Sequence, residues 1–117
     1  MAAPNIVNVS TITGKTAVQA VGTSATAIVT NSASSGKVFK VNMIMISNID
    51  GTNNADITVD VYRSSTAYHL TKDFTVVAKD SLDLLTKPLY LEEGDSLRLT
   101  ASAASDLEAV VSYEEIS

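Results

Sequence analysis

Asp56-Ile57-Thr58-Val59-Asp60-Val61-Tyr62 alternates apolar and polar residues without a fault. Ile57, Val59 and Val61 fall on one face, and Thr58, Asp60 and Tyr62 on the other. That is the period of a strand packed on one side only. A slip of one residue would carry Asp60 into the core, so the register is well specified. This reading puts Asp60 on the outer face, with no partner identifiable in the sequence.

The same period extends outward from this strand. Residues 38–49 are longer and more apolar, with Phe39, Val41, Met43 and Met45 on one face. Ile44 and Ile46 lie on the other, after Lys40 and Asn42. This predicts a central strand covered on both sides, for which a second sheet and a neighbouring subunit are the candidate covers. Asp50-Gly51-Thr52-Asn53-Asn54 between the two strands is turn chemistry and predicts a hairpin. A second hairpin is predicted at the end of the chain. There Leu97 and Leu99, then Leu107, Ala109, Val111 and Tyr113, flank the small residues 102–106. Leu89-Tyr90-Leu91 starts after Pro88, where a missing N–H is tolerable. It feeds a tight turn at Glu92-Glu93-Gly94-Asp95.

Tyr68, Leu70, Phe74 and Val76 keep even spacing and predict one more strand. Residues 81–85 read as a short strand or, from Leu82 and Leu85, a single helical turn. Residues 10–36 are rich in Ser, Thr, Ala and Gly. Their neighbourhood holds short β-like pieces at 6–9, 17–21 and 27–30. The predicted organisation is a single all-β domain. Residues 1–25 form an N-terminal arm or edge strands. Residues 26–117 form an antiparallel β-sandwich of about eight short strands, for which a jelly-roll path is one solution.

Composition narrows the function classes. The 117 residues suit one domain, and the sequence has no cysteine, hence no disulfide or thiolate metal site. The formal net charge is −5 and the basic residues are scattered. Nucleic acid and anionic membrane surfaces both call for clustered Lys and Arg, so neither is an expected partner. No apolar run reaches the length of a membrane span. The first residues lack the pattern of a signal peptide, which predicts synthesis in a cytoplasm.

No catalytic, cofactor-binding or metal-binding residue is predicted. His69 is the only histidine. It lies between Tyr68 and Leu70, so it projects from the opposite, exposed face, and no nucleophile-elbow motif accompanies it. Residues 50–56 offer oxygen ligands, but their spacing does not match an EF-hand loop, and a turn accounts for them. Thr13-Gly14-Lys15-Thr16 resembles the end of a P-loop without its first glycine, and reads as a turn. Glu92-Glu93 and Glu114-Glu115 are adjacent pairs whose members point apart, as on a solvated surface. Tyr62, Tyr68, Tyr90 and Tyr113 would mark a glycan-binding surface only if two or more converged.

One resemblance rests on an ordered set of segments. These are Ala27-Ile28-Val29-Thr30-Asn31, Ser34-Ser35-Gly36-Lys37-Val38-Phe39-Lys40-Val41 and Ile44-Met45-Ile46-Ser47-Asn48. Asp56 to Tyr62 and Leu91-Glu92-Glu93-Gly94-Asp95-Ser96-Leu97 continue it. Over residues 25–116 the chain resembles small β-sandwich virion proteins of tailed bacteriophages, marine and cyanobacterial ones in particular. The resemblance implies a non-enzymatic virion protein. Its favoured form is a capsid decoration (cement) protein on the outer head, bound to the major capsid protein as a homotrimer. Alternatives are a tail, neck or baseplate component and a glycan-binding tail-tip module. A small hydrolase would require His69 beside a Ser and an Asp.

Overall fold

The computed structural model describes residues 4–117. Residues 1–3 of the expected arm lie outside the described residues. The strands are β1 (Ile12–Ala20), β2 (Thr26–Thr30), β3 (Val38–Asn48), β4 (Ala55–Arg63), β5 (Thr66–Val76), β6 (Ser81–Asp83), β7 (Leu89–Leu91), β8 (Ser96–Ala101) and β9 (Leu107–Ile116). One sheet has the order β1-β9-β3-β6, with β7 also on β3; the other has β2-β8-β4-β5. Every pairing is antiparallel. β6 and β7 act as two halves of one interrupted strand. First then pairs with last, second with next to last, and so inward to the β4–β5 hairpin. That nested order is the jelly-roll path.

The two predicted hairpins are crossovers. β3 and β4 lie in different sheets, and so do β8 and β9. The turn residues fall where expected, but they lead the chain over the edge of the sandwich. At Asp50 the carboxylate accepts the N–H groups of Thr52 and Asn53 at 2.7 and 3.1 Å, closing the corner. Of the β-like pieces in the first third, residues 6–9 form no strand; Asn8 N–H donates to the Asn5 carbonyl in a turn. Thr13-Gly14-Lys15-Thr16 is not a turn but lies in the first half of β1. Residues 80–85 contain no helical turn.

The register of β3 differs from plain alternation. Val41 faces Tyr113 on β9 while Met43 faces Ser112, so Asn42 is an extra residue, a β-bulge. The bulge puts Phe39 and Val41 on the same face as Ile44 and Ile46, and all four are buried. Met43 and Met45 turn outward and are half-buried. With Ile57, Val59, Leu91, Leu97, Leu99, Leu107 and Val111, the inward residues form one aliphatic core. Phe39 and Tyr113 are its aromatic pair, with ring centroids 5.6 Å apart.

β5 departs in the other direction. Val76 is buried, but Tyr68, Leu70 and Phe74 are exposed. Two irregularities interrupt its pairing with β4, and β6 and β7 across the sandwich are each only three residues long. The apolar side chains of β5 therefore reach past the end of their cover.

Deleting Asn42 removes the bulge and forces either Phe39 and Val41 or Ile44 and Ile46 out of the core. Losing two such side chains from the core costs about 3–6 kcal/mol. Urea unfolding is expected to show a collapse of stability on deletion, whereas Asn42→Ala, which keeps the residue count, changes it by under about 1 kcal/mol.

Candidate functional site

A group of charged and aromatic side chains lies at one end of the molecule, where β4 turns into β5 and β7 into β8. Ser64 and Ser65 form the β4–β5 turn, both with positive φ (51° and 61°), the geometry of a type I′ hairpin. This tight turn sets Arg63 at the rim. Glu92-Glu93-Gly94-Asp95 is the tight turn that the sequence predicts, closed by Asp95 N–H on the Glu92 carbonyl at 3.0 Å. Gly94 takes φ 90°, which a side chain would strain.

Arg63 spans the two turns. Its Nε and Nη2 donate to the Asp95 carboxylate at 2.7 and 2.5 Å, and Nη2 reaches Glu92 at 2.8 Å. The fork-on-carboxylate geometry gives direction as well as strength. Asp95 is buried and also accepts the Glu92 N–H at 2.8 Å. Burial alone would push its carboxyl up; the Arg63 guanidinium and the Glu92 N–H outweigh it and hold the carboxyl below its ordinary value. The sequence offers no sign of this pair, whose members stand 32 residues apart.

Beside this corner lies a cleft of about 350 Å³ lined by Val61, Arg63, Tyr68, Leu89 and Tyr90. Tyr68 and Tyr90 are 60% and 41% exposed there. Two of the four tyrosines thus converge on one surface. Tyr113 packs on Phe39 in the core, and Tyr62 lies under the Arg98 guanidinium, 4.0 Å from carbon to ring centroid.

Arg98 also answers the question of Asp60. Asp60 does project from the outer face, yet it is buried there, with Arg98 Nε donating to its carboxylate at 2.9 Å. The long guanidinium arm from β8, clamped on Tyr62, covers the carboxylate that the alternation pattern leaves in solvent. His69 is exposed on β5 in register with Asp60, whose carboxylate Arg98 already holds. Among the described residues His69 makes no side-chain hydrogen bond to a Ser or an Asp.

The adjacent glutamates do point apart. Glu114 takes a hydrogen bond from Asn42 at 3.1 Å, and Glu115 binds Lys15 and Lys37 at 2.9 and 3.1 Å. Glu115 is not the solvated residue expected: its side chain is only 15% exposed. Its carboxyl is lowered chiefly by the Lys15 hydrogen bond.

Asp95 makes the corner sensitive to acid. A carboxyl lowered by folding contributes stability that is complete above its unfolded value, about 3.9, and is lost as pH falls through the lower native value. Unfolding midpoints of the parent chain are expected to fall on going from neutral pH to about pH 3. Asp95→Asn is expected to start lower at neutral pH and to lose less, so the two curves approach each other in acid. Parallel curves would contradict the assignment.

A scan against protein-family models and a search of curated proteins gave no match. Among solved structures the chain is similar to one described under the heading that Bacillus endospore appendages form a novel family of disulfide-linked pili. The TM-score is 0.51 at 15% identity, over 91% of this chain and 88% of the other. At that identity the likeness is one of fold, and it supports the β-sandwich architecture.

Proposed function

We propose that this chain is a non-enzymatic structural subunit of a larger protein particle, and specifically a decoration protein on the outer head of a tailed bacteriophage. The observation that carries this reading is where the leftover apolar surface lies. The core is closed by its own aliphatic side chains, while Tyr68, Leu70 and Phe74 stay exposed along one edge strand, β5. Grouped exposed apolar side chains on a soluble domain mark contact surfaces. The virion resemblance of residues 25–116 supplies the kind of particle. The net charge of −5 suits an outer surface better than contact with packaged DNA. The neighbour of similar fold is named for a pilus, another built assembly. Its disulfide linkage has no counterpart here, because this sequence has no cysteine.

The test uses heads assembled without the chain. They are expected to release DNA at a lower temperature than complete heads, and added purified chain is expected to restore the difference. Heads that bind no added chain, or gain nothing from it, would refute decoration.

A second reading has its own observation: Tyr68 and Tyr90 converge beside Arg63 in an open cleft. Aromatic faces next to a charged donor are suited to stacking on a sugar ring and bonding its hydroxyls. On this reading a glycan array shows a consistent set of hits, and Tyr68→Ala abolishes them while the fold persists. An array without hits would exclude it.

A further inference from the structure

Each sheet has two edges, and natural sandwiches blunt such edges to prevent stray pairing. Three of the edges here are blunted. β2 is five residues long and carries an irregularity between Ala27 and Val29. β5 has two irregularities in its pairing, and Asp73 takes φ 52°. β6 and β7 are three residues each, with a break between them. β1 has none of these devices. Its nine residues run in unbroken register with β9 and include no proline. Its single charge, Lys15, is drawn back toward β9 by Glu115 at 2.9 Å.

The direction of its backbone groups follows from the ends of the ladder. Thr11 and Ser117 exchange both backbone hydrogen bonds, at 3.0 and 2.9 Å, and Val21 N–H donates to the Leu107 carbonyl at 2.9 Å. In an antiparallel ladder, alternate residues bond the neighbour. The odd-numbered residues therefore face β9. Ile12, Gly14, Thr16, Val18 and Ala20 turn their N–H and C=O groups to the open edge.

We infer that this edge pairs with β1 of a second copy, antiparallel across a two-fold axis through Thr16, joining two sandwiches into one continuous sheet. The register is set by geometry. Edge-facing residues must meet edge-facing residues, and only the pairing centred on Thr16 uses the whole strand. It places Ile12 opposite Ala20 and Gly14 opposite Val18, a large residue against a small one each time. No atom lies within 4 Å of where a side chain on Gly14 would begin, so the exposed Val18 of the other copy has room there. Lys15 falls opposite Ala17, so no like charges stand directly opposite; the two Lys15 are diagonal neighbours, each neutralised by Glu115 of its own copy. Pairing every edge-facing residue forms about ten backbone hydrogen bonds. On the outer face, the row Val18–Val110–Met45 of each copy runs to the seam and ends there against Gly14 of the other copy. The contact is isologous, so it closes at two copies and uses up the open edge. It goes beyond the decoration reading and replaces the three-fold assembly implied by the virion resemblance with a two-fold unit.

Sedimentation of the purified chain, with two kinds of variant, tests it. The parent is expected to be a dimer at about 100 µM. Thr16 is exposed in the single chain, so Thr16→Lys is expected to leave the circular dichroism and melting of the monomer intact. The two-fold then sets two ammonium groups face to face, and dimer affinity is expected to fall by about tenfold or more. In this cysteine-free sequence, Thr16→Cys is expected to oxidise to a covalent dimer, because the axis brings the residue to its own copy. Thr13→Cys, set opposite Gln19, is expected not to. A parent that sediments as a monomer or trimer, a dimer indifferent to Thr16→Lys, or cross-linking at residue 13 rather than 16 would overturn the inference. Failure here leaves head binding untouched, because the thermal test on heads reads a different contact.

Discussion

The bulge at Asn42 is the constraint on which the sandwich rests. β3 is the strand that β9, β6 and β7 all pair with, so its facing decides what the first sheet offers the second. Plain alternation would send Phe39 and Val41 to one side and Ile44 and Ile46 to the other. One extra residue brings all four into the core. It also releases Met43 and Met45 to the outer surface, in register with Ser112 and Val110 of β9. Core and outer surface are thus made by the same local irregularity.

Two buried asparagines hold the loops that this arrangement requires. Asn31 donates to the carbonyls of Lys37 and Leu91 at 2.9 and 3.0 Å and accepts from Ser35. Asn48 donates to the carbonyls of Asn53 and Val76 at 3.0 and 2.9 Å and accepts from Asp50 N–H. Each ties a crossover loop to a strand elsewhere in the chain and leaves no amide atom unpaired. A buried polar group satisfied in this way rigidifies the fold; a half-satisfied one would weaken it. The Asp60–Arg98 pair, backed by Tyr62, obeys the same rule on the outer face of the other sheet. A domain so pinned at its corners presents its edge strands as fixed surfaces, the preorganisation that the proposed docking would draw on.

Much of this was legible in the sequence, and the gaps have physical causes. Alternation at 56–62 and 107–113, with polar turns between strands, is enough to identify a β-sandwich. It does not say which strands pair, because the turn chemistry of Asp50 and Gly51 serves a crossover as well as a hairpin. β1 was obscured because an edge strand needs few large apolar residues, so Thr13-Gly14-Lys15-Thr16 reads as a turn. β5 misled in the opposite sense: Tyr68, Leu70 and Phe74 have core spacing but outrun the short strands facing them. The bulge at Asn42 has no local signature beyond a polar residue in an apolar run. At the candidate site the tyrosines were visible as residues but not as neighbours. Arg63–Asp95 and Asp60–Arg98 are partnerships between distant segments, which only the folded sheet brings together.

The most direct measurement of the proposed role is a cryo-electron microscopy reconstruction of the tailed-phage particle proposed to carry this protein. The account predicts many copies of the sandwich, repeated over the outer head and seated on the capsid lattice. Density confined to the tail or neck would contradict the decoration assignment, and a particle devoid of the chain would contradict the structural role itself.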